Sequence, residues 1–254
     1  MKKSLLTIAG FDPSGGAGVL LDIRTFAALG FHGAAVLTAV TVQNTARVHD
    51  AVPLPASLVA DQFEVLAGDL AFAGIKVGMV GSRDNVAAVA KILRAVRGKP
   101  RVVDPVFRAS SGAPLLEGEA IPEFLPAIRG QATVLTPNLE EAGRLVGRRV
   151  TDAAGMRAAA EEIYDLGRIP CLIKGGHLAG DPVNLLFDGK ACALFGRPRI
   201  RKDVHGTGCL FSAALLGYLA KGKTLVKACD LATDYTAEAI RKAVRVGRGR
   251  PIFV

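Results

Sequence analysis

The sequence predicts a single α/β domain over residues 1–254, built as a three-layer sandwich. A mostly parallel sheet would carry helices on both faces and an antiparallel hairpin near one edge. Three observations predict this fold. Short apolar segments alternate with helical segments of about 10–15 residues. Half of the 254 residues are hydrophobic, which is enough for one large core. We find no internal repeat and no linker that would divide the chain.

The first half of the chain alternates regularly between the two kinds of segment. Runs of β-branched and other apolar residues predict strands, and apolar residues spaced by three and four predict helices. The strands are predicted at 4–10, 34–42, 73–80 and 101–107, and the helices at 17–29, 58–68 and 85–96.

The second half continues the pattern and adds the hairpin. Asp188 and Gly189 separate two apolar runs, which is a typical hairpin signal. The predicted strands are 133–138, 170–176 and the hairpin pair 183–189 and 192–200, and the predicted helices are 139–146, 153–167, 208–220 and 226–244.

Polar or glycine-rich loops follow seven of the predicted strands. In a parallel sheet, ligands bind beyond the carboxyl ends of the strands. We therefore expect one shared crevice formed by the loops GFDPSGGAG, QNT, GMVGS, DPVFRASSG, TPNLEE, KGGH and HGTGC.

Composition excludes several classes of protein. No apolar run reaches the roughly 18–20 residues of a membrane span, and we interpret the N-terminal apolar run as a buried strand of a cytoplasmic protein. No two of the four cysteines form a CxxC pair, so reduced thiols are expected at Cys171, Cys192, Cys209 and Cys229.

The net charge of +9 suits polyanionic ligands, including phosphates. Basic residues cluster at 197–202 and 241–250 without interleaved aromatic residues. Because single-stranded nucleic acid is held by aromatic stacking as well as charge, we interpret these clusters as solvated surface and expect no nucleic-acid partner.

The loop HGTGC predicts an anion site. The chain has neither a P-loop nor a complete dinucleotide-binding glycine motif, so glycine content alone fits a tight turn as well as phosphate binding. A helix that begins near Gly208, however, leaves the N–H groups of residues 206 to 209 (Gly206, Thr207, Gly208 and Cys209) free of helical partners. These groups and the helix dipole favour a negative charge, such as a phosphoryl group in transfer.

Cys209 stands at the same helix start. A helix N-terminus lowers the pKa of a thiol, so we expect a partly ionised Cys209. Such a thiolate could be a nucleophile, a base or a redox group, and His205 could pair with it as in a Cys–His protease. A general base beside an anion site is the hypothesis that joins both features.

Four further polar residues suit phosphoryl transfer. Lys174 ends an apolar strand, where packing explains it poorly and a phosphate or nucleotide contact explains it well. Asp104 leaves another apolar strand, and its alternative is an Asp-Pro turn. Asn138 and Glu141 are three residues apart at a helix start and could hold Mg²⁺ through water. Their alternatives are an N-cap and a favourable helix-dipole charge.

Taken together, these motifs resemble the ribokinase-like superfamily and, within it, the bacterial hydroxymethylpyrimidine/phosphomethylpyrimidine kinases of thiamine biosynthesis. The resemblance covers nearly the whole chain, and its motifs occur in the family's order and spacing. They are LTIAGFDPSGGAGVLLDIRTFAALG, TAVTVQNT, IKVGMVGS, VVDPV, SGAPLL, LTPNLEEA, LIKGGH and HGTGCLFSAAL.

The resemblance implies a kinase that uses ATP and Mg²⁺. It would phosphorylate 4-amino-5-hydroxymethyl-2-methylpyrimidine and then the monophosphate, as a homodimer. By motif, Cys209 corresponds to the catalytic base, where most of the superfamily has Asp. The other matches are the anion hole (Gly206, Thr207, Gly208), the magnesium motif (Asn138, Glu141), the phosphate contact Lys174 with nearby Asp104, and the pyrimidine pocket (Gly10, Asp22, Gln43, Met79, Val106).

Chemistry supports two of the pocket assignments. The amide of Gln43 offers a donor and an acceptor to an aminopyrimidine edge, and the thioether of Met79 suits an aromatic face. Two features depart from the family pattern. Ser110 stands where a lysine is common, and Arg108 could supply the missing charge. The C-terminal GRGRPIF replaces a tail that usually contains histidine and glycine. Two alternative functions remain: a pyridoxal or pyridoxine kinase on the same fold, and a basic nucleic-acid-binding regulator that senses the pyrimidine.

Overall fold

The computed structural model describes residues 2–109, 112–176, 178 and 181–254. Its strands form one sheet in the order β3-β2-β1-β4-β5-β6-β7-β8-β9. The strands from β2 to β7 in this order are parallel, whereas β3, β8 and β9 run antiparallel to their neighbours. The strands are β1 (Ser4–Phe11), β2 (His32–Gln43), β3 (Val48–Pro53), β4 (Phe72–Val77), β5 (Arg101–Val103), β6 (Val134–Leu135), β7 (Cys171–Ile173), β8 (Val183–Phe187) and β9 (Cys192–Gly196).

Helices cover both faces of the sheet. Those of the described residues are α1 (Gly18–Ala28), α2 (Ala56–Asp69), α3 (Arg83–Ala95), α4 (Ile121–Ala127), α5 (Leu139–Val146), α6 (Ala153–Gly167), α7 (Thr207–Ala220) and α8 (Leu225–Lys242), with a 3₁₀ turn at Gly118–Ala120. Helices α1, α7 and α8 pack together on one face, and α2 to α6 pack on the other. None of these helices is both long and apolar enough to span a membrane.

Two hydrophobic cores lie on opposite sides of the sheet. Because side chains alternate along a strand, Val102 belongs to the core under α1, α7 and α8, and the next residue, Val103, belongs to the core under α2 to α6. Both residues are buried to within 1 % of full burial. The sheet is therefore the middle layer of a three-layer sandwich, and the predicted fold class is confirmed.

The predicted elements match the structure with a few differences. The antiparallel hairpin is confirmed as β8 and β9. The sheet has a second antiparallel edge strand, β3, which the sequence did not predict, and α4 was also missed. The strand predicted at 101–107 is short and ends at Val103, because Asp104 and Pro105 follow and proline has no N–H for the ladder.

The strand order places a crevice between β1 and β4. The chain builds the sheet outward from β1 in one direction as far as β3, and then in the other direction from β4 to β9. Ligands of α/β proteins bind where the strand order reverses, at the carboxyl ends of the strands. The residues that follow β1, β4, β5, β6 and β7 at this end include Asp12, Met79, Asp104, Asn138 and Lys174.

Candidate active site

One cavity of about 890 Å³ occupies this crevice. Nearly all the predicted site residues line it: Gly10, Gln43, Met79, Asp104, Val106, Asn138, Glu141, Lys174, Gly206, Thr207, Gly208 and Cys209. Asp22 does not line the cavity. Asp22 lies on α1, and its side chain is completely buried behind the residues that line the cavity.

The start of helix α7 has the geometry of an anion site. Gly206 caps the helix with φ 82° and ψ 11°, a left-handed conformation that favours glycine. The helix begins at Thr207, one residue earlier than predicted. Its first hydrogen bond runs from Leu210 N to Gly206 O at 2.9 Å. The N–H groups of Thr207, Gly208 and Cys209 therefore have no carbonyl partner within the helix.

A cation stands beside this helix start. Lys174 follows β7, and its Nζ lies 2.6 Å from Asp104 Oδ1. Nζ also lies 3.0 Å from the position that a Cβ of residue 208 would take, so Gly208 makes room for the ammonium group. Asp104 is 1 % exposed and also contacts Thr136 Oγ1 and Ser212 Oγ, each at 3.2 Å.

Charge pairing keeps Lys174 protonated. Burial alone would lower the pKa of Lys174, but the charges of Asp104 and Glu141 outweigh burial and raise it. A protonated lysine next to free backbone N–H groups forms a positively polarised pocket, which suits a phosphate group.

Asn138 and Glu141 form a capping box at the start of α5. Glu141 Oε2 accepts a hydrogen bond from Asn138 N at 2.7 Å, and Asn138 Oδ1 accepts one from Glu141 N at 2.9 Å. The N-cap alternative is thus present, although both residues also line the cavity. Burial raises the pKa of Glu141 to about 8, despite the opposing charge of Lys174.

This donor set fits Mg²⁺ that arrives with a nucleotide. Among the described residues, no group of three or more His, Cys, Asp and Glu side chains could hold a metal ion alone. Mg²⁺ commonly keeps several waters and binds one or two carboxylates together with substrate phosphates. Glu141 retains its second carboxylate oxygen for such an interaction, and a nearby divalent cation would favour ionisation of this carboxyl group.

Lys76 is a second buried cation, and it lies close enough to Cys209 for the two side chains to affect each other's pKa. Lys76 lines the cavity, and its Nζ donates a hydrogen bond to Asp22 Oδ2 at 2.7 Å, with both side chains fully buried. Thr7 Oγ1 donates to the same oxygen at 2.6 Å. Burial alone would lower the pKa of Lys76, but Asp22 and then Cys209 and Asp104 raise it. Asp22 therefore does not line the cavity itself but is the charge partner of Lys76, which does.

The Cys209 thiol does not have the lowered pKa that the sequence predicted. Burial raises its pKa to about 11, and the negative charges of Asp22 and Asp104 act in the same direction. Lys76 and a hydrogen bond from the Gly18 N–H oppose this shift without overcoming it. The expectation of a partly ionised Cys209 is therefore wrong, because desolvation exceeds the stabilisation available at the helix start.

The opposite end of the cavity carries the residues assigned to the pyrimidine. Gly10 and Met79 lie side by side on β1 and after β4, and a Cβ at residue 10 would lie 2.7 Å from Met79 Sδ. Gln43 at the end of β2 contacts His205, which in turn contacts Asp12. These contacts direct His205 towards Asp12 and Gln43.

The segment 245–253 supports this end of the cavity. Arg250 N donates to Thr45 O, and His205 N donates to Pro251 O, each at 3.0 Å. Ile252 packs against the glycine-rich loop that follows β1. Three loops of the site are therefore joined through this one segment.

Sequence reasoning did not assign Lys76 and Asp12 to the site, and it considered His205 only as a partner of Cys209. Lys76 interrupts an apolar strand, which is the same signal that identified Lys174. Arg108 lines the cavity, where it donates to Gly112 O at 3.3 Å and lies 3.6 Å from Glu140. Ser110 lies outside the described residues.

Comparison with known proteins places the chain in a family. The model of the phosphomethylpyrimidine kinase family matches residues 12–252. A hydroxymethylpyrimidine/phosphomethylpyrimidine kinase of Rhizobium meliloti is 43% identical over 98% of this chain and 96% of the relative. A thiamine biosynthesis bifunctional protein of Geobacter sulfurreducens is also 43% identical over 98% of this chain, which spans only 51% of that relative.

A solved structure supports the fold. The pyridoxal kinase from Staphylococcus aureus, solved in complex with AMP-PCP, has a TM-score of 0.90 and 31% identity, with 100% of this chain and 93% of that chain covered. The family match and the full-length relative agree with the cavity geometry. The chain therefore belongs to the phosphomethylpyrimidine kinase family.

Proposed function

We propose that the protein is an ATP-dependent kinase that phosphorylates 4-amino-5-hydroxymethyl-2-methylpyrimidine and then its monophosphate. One observation carries the phosphoryl-transfer part of this proposal. The ammonium group of Lys174 lies beside Gly208, where the backbone N–H groups of helix α7 have no helical partners. This is an arrangement that stabilises negative charge on a transferring phosphoryl group. The substrate rests on the family membership and on the full-length relative named above.

The nucleotide would occupy the cavity on the side of α8 and the loop after β9. Apolar side chains suited to an adenine ring line that part: Pro198, Ile200, Val204, Phe211, Ala237 and Ile240. Arg199, Arg201 and Lys202 lie along the same loop, where their charge would raise the local concentration of polyphosphate, whereas Arg197 is paired with Asp230 and Asp234. From there the triphosphate would extend towards Lys174 and the start of α7, and the pyrimidine would lie between Gln43 and Met79.

The reaction is a displacement at the γ-phosphorus. The hydroxymethyl oxygen forms the new P–O bond, the bond from the γ-phosphorus to its bridging oxygen breaks, and ADP leaves. Lys174 and the N–H groups of Thr207, Gly208 and Cys209 stabilise the charge on the transferred group. Because the transition state is loose, the proton of the alcohol leaves late. Cys209 is assigned to receive or orient that proton.

Two groups would organise Mg²⁺ with the nucleotide. Glu141 supplies a carboxylate, and Asn138 fixes its orientation through the capping box. Bound there, Mg²⁺ would neutralise phosphate charge.

In the second reaction, a phosphate oxygen of the monophosphate attacks in place of the hydroxymethyl oxygen. The monophosphate adds negative charge at the cavity. Arg108 is the proposed source of positive charge, since Ser110 stands where a lysine is common in the family.

ADP release with the pyrimidine alcohol, and separately with its monophosphate, tests the function. We expect turnover with both. No turnover at millimolar alcohol would refute the kinase assignment, and turnover with the alcohol alone would refute the second step. An Arg108→Gln variant, compared with Arg129→Gln in the turn before the amino end of β6, should lose activity with the monophosphate selectively.

A pyridoxal kinase is the second candidate, because a solved pyridoxal kinase covers the whole chain at a TM-score of 0.90. The values of kcat/KM for pyridoxal and for the pyrimidine alcohol, measured side by side, decide between them. A homodimer and a cytoplasmic location stay predictions. Retention of the protein on DNA that weakens as the salt concentration rises would instead support the hypothesis of a nucleic-acid-binding regulator.

A further inference from the structure

Four polar residues form a connected chain at the pyrimidine end of the cavity. His205 Nε2 lies 2.9 Å from Asp12 Oδ2 and 2.9 Å from Gln43 Nε2. Thr41 Oγ1 lies 2.9 Å from Phe11 O and 3.3 Å from Gln43 Oε1. The three distances of 2.9 Å suit hydrogen bonds and the contact at 3.3 Å is a longer one, and each contact also needs one donor and one acceptor.

The contact between Asp12 and His205 fixes one proton. Burial alone would raise the pKa of Asp12, but hydrogen bonds from His205 and Ser14 outweigh burial and lower it. The ionised carboxylate can only accept, so His205 Nε2 carries a hydrogen whether the ring is neutral or charged. A protonated ring nitrogen has no lone pair for an amide N–H. The Gln43 atom that faces His205 must therefore be the oxygen.

The contact with Thr41 leads to the same orientation independently. The Thr41 hydroxyl has one hydrogen, and the Phe11 carbonyl, which only accepts, receives it at the shorter distance. Thr41 Oγ1 can then only accept from Gln43, so the Gln43 atom that faces it must be the nitrogen. A half-turn of the amide about its last torsion exchanges its oxygen and nitrogen. Gln43 Oε1 then shares the His205 Nε2 hydrogen with Asp12, and Gln43 Nε2 donates to Thr41, so no donor faces a donor.

The His205 ring is itself firmly held. Its backbone N–H donates to Pro251 O at 3.0 Å, and the ring packs against Gly16, where a Cβ would overlap ring atom Cδ2. The Asp12 carboxylate is held by Ser14, whose N and Oγ both donate to Oδ1. The ring and the carboxylate are therefore both held in place, and the His205 Nε2 hydrogen is shared between Asp12 and Gln43.

We propose that Asp12 and His205 are positioning residues that lock the Gln43 amide, with Oε1 towards His205 and Nε2 towards Thr41, and so make the site selective for a 4-aminopyrimidine over a 4-oxopyrimidine. The locked amide keeps one N–H and one oxygen lone pair at fixed places. An aminopyrimidine edge offers an acceptor nitrogen beside an amino donor, and the oxo form reverses this order. A mobile amide could turn to fit either edge, whereas the locked amide fits one.

This inference rests on the proposed pyrimidine substrate, so its test separates the two. The readout is the ratio of kcat/KM for the 4-amino alcohol to that for its 4-oxo analogue. We expect a ratio of about 100 or more in the unmodified protein, because the wrong edge leaves buried polar groups unpaired. Asp12→Asn and Thr41→Val should each lower the ratio about tenfold. Thr41→Ser should restore it, and the exposed control Asp50→Asn should not change it.

A second measurement needs no catalysis. The chain contains four histidines, so ¹⁵N NMR of the imidazole rings, with His205→Gln for assignment, gives the protonation of His205. We expect Nε2 to carry hydrogen at pH 7.5, and an unprotonated Nε2 would overturn the lock. Unchanged ratios in both variants would overturn the specificity claim. If a melting curve shows that either Asp12→Asn or Thr41→Val is unfolded, the ratio measured for the other variant tests the specificity claim. If the unmodified protein phosphorylates neither pyrimidine, the proposed substrate and the specificity claim both fail, and the NMR result stands for the lock alone.

Discussion

Gly206 and Gly16 touch through their backbones. A Cβ on Gly206 would overlap the carbonyl oxygen of Gly16, and Gly206 has φ 82°. The start of α7 is thereby set directly against the loop that follows β1, and the anion site and the pyrimidine site share this contact.

Gly206→Ala should therefore disrupt the site. The left-handed backbone alone costs a β-carbon about 1–3 kcal/mol, and the overlap with Gly16 adds to this. We expect a lower melting temperature and a fall in kcat of at least about tenfold. Gly222→Ala is the matched control, since Gly222 has φ 81° with no atom within 4 Å of a Cβ. Equal effects of the two substitutions would contradict the role of the contact.

Lys174→Met should remove the phosphate contact and leave Asp104 buried without its charge partner. We expect kcat to fall about 10²–10³-fold and stability to fall by about 3–5 kcal/mol. Adding Asp104→Asn should recover much of the stability but none of the activity. Recovery of activity in the double variant would show that Lys174 serves only to neutralise Asp104. Lys190→Met, on the exposed hairpin turn, is the control.

The raised pKa of Cys209, about 11, makes its role testable by pH. If the thiolate is the base, its population and therefore kcat should rise about tenfold per pH unit between pH 7 and 9. Cys209→Asp should move that slope to lower pH, because a carboxyl group in the same surroundings ionises at lower pH than a thiol. A kcat of the unmodified protein that does not vary with pH would mean that Cys209 orients the hydroxyl group. Cys192→Ser, outside the cavity, should match the unmodified protein.

Glu141 should make the free protein less stable as the pH rises. Its folded pKa of about 8 exceeds the ordinary value of 4.5, so the folded state binds this proton more tightly. The contribution of protonated Glu141 to the free energy of unfolding is therefore full below pH 4.5 and is lost as the pH approaches 8. Glu141→Gln keeps the cap but cannot ionise. In urea unfolding, its stability relative to the unmodified protein should increase from pH 5 to pH 8, and a constant difference would refute the shift.

Local signals in the sequence determined several element bounds closely. Helices α5 and α6 begin and end at the predicted residues, because Asn138 and Asp152 cap their starts and Gly147 ends α5 in a left-handed conformation. Strand β3 was missed because most of its residues are exposed on the sheet edge, so no apolar alternation marks it. Helix α4 was missed because it contains Pro122 and Pro126, which usually signal a break.

In the candidate active site, the sequence predicted which residues line the cavity better than it predicted their protonation states. The strand-end rule placed Lys174, Asp104 and Glu141 around one cavity. The pKa of Cys209 could not be predicted, because it depends on burial and on the distant residues Asp22 and Asp104. The partners of Gln43 were equally hidden, since His205 is 162 positions away in the chain.

The contacts of segment 245–253 also determine when the cavity can form. Residues 16 and 252 meet, as do residues 45 and 250, so these contacts close loops of more than two hundred residues. Contacts of such long range form late in folding. During synthesis, as long as residues 251 and 252 are still inside the ribosome, they cannot make the contacts that hold His205 and the loop after β1 in place. Substrate binding by a nascent chain should therefore appear only after residue 252 has emerged.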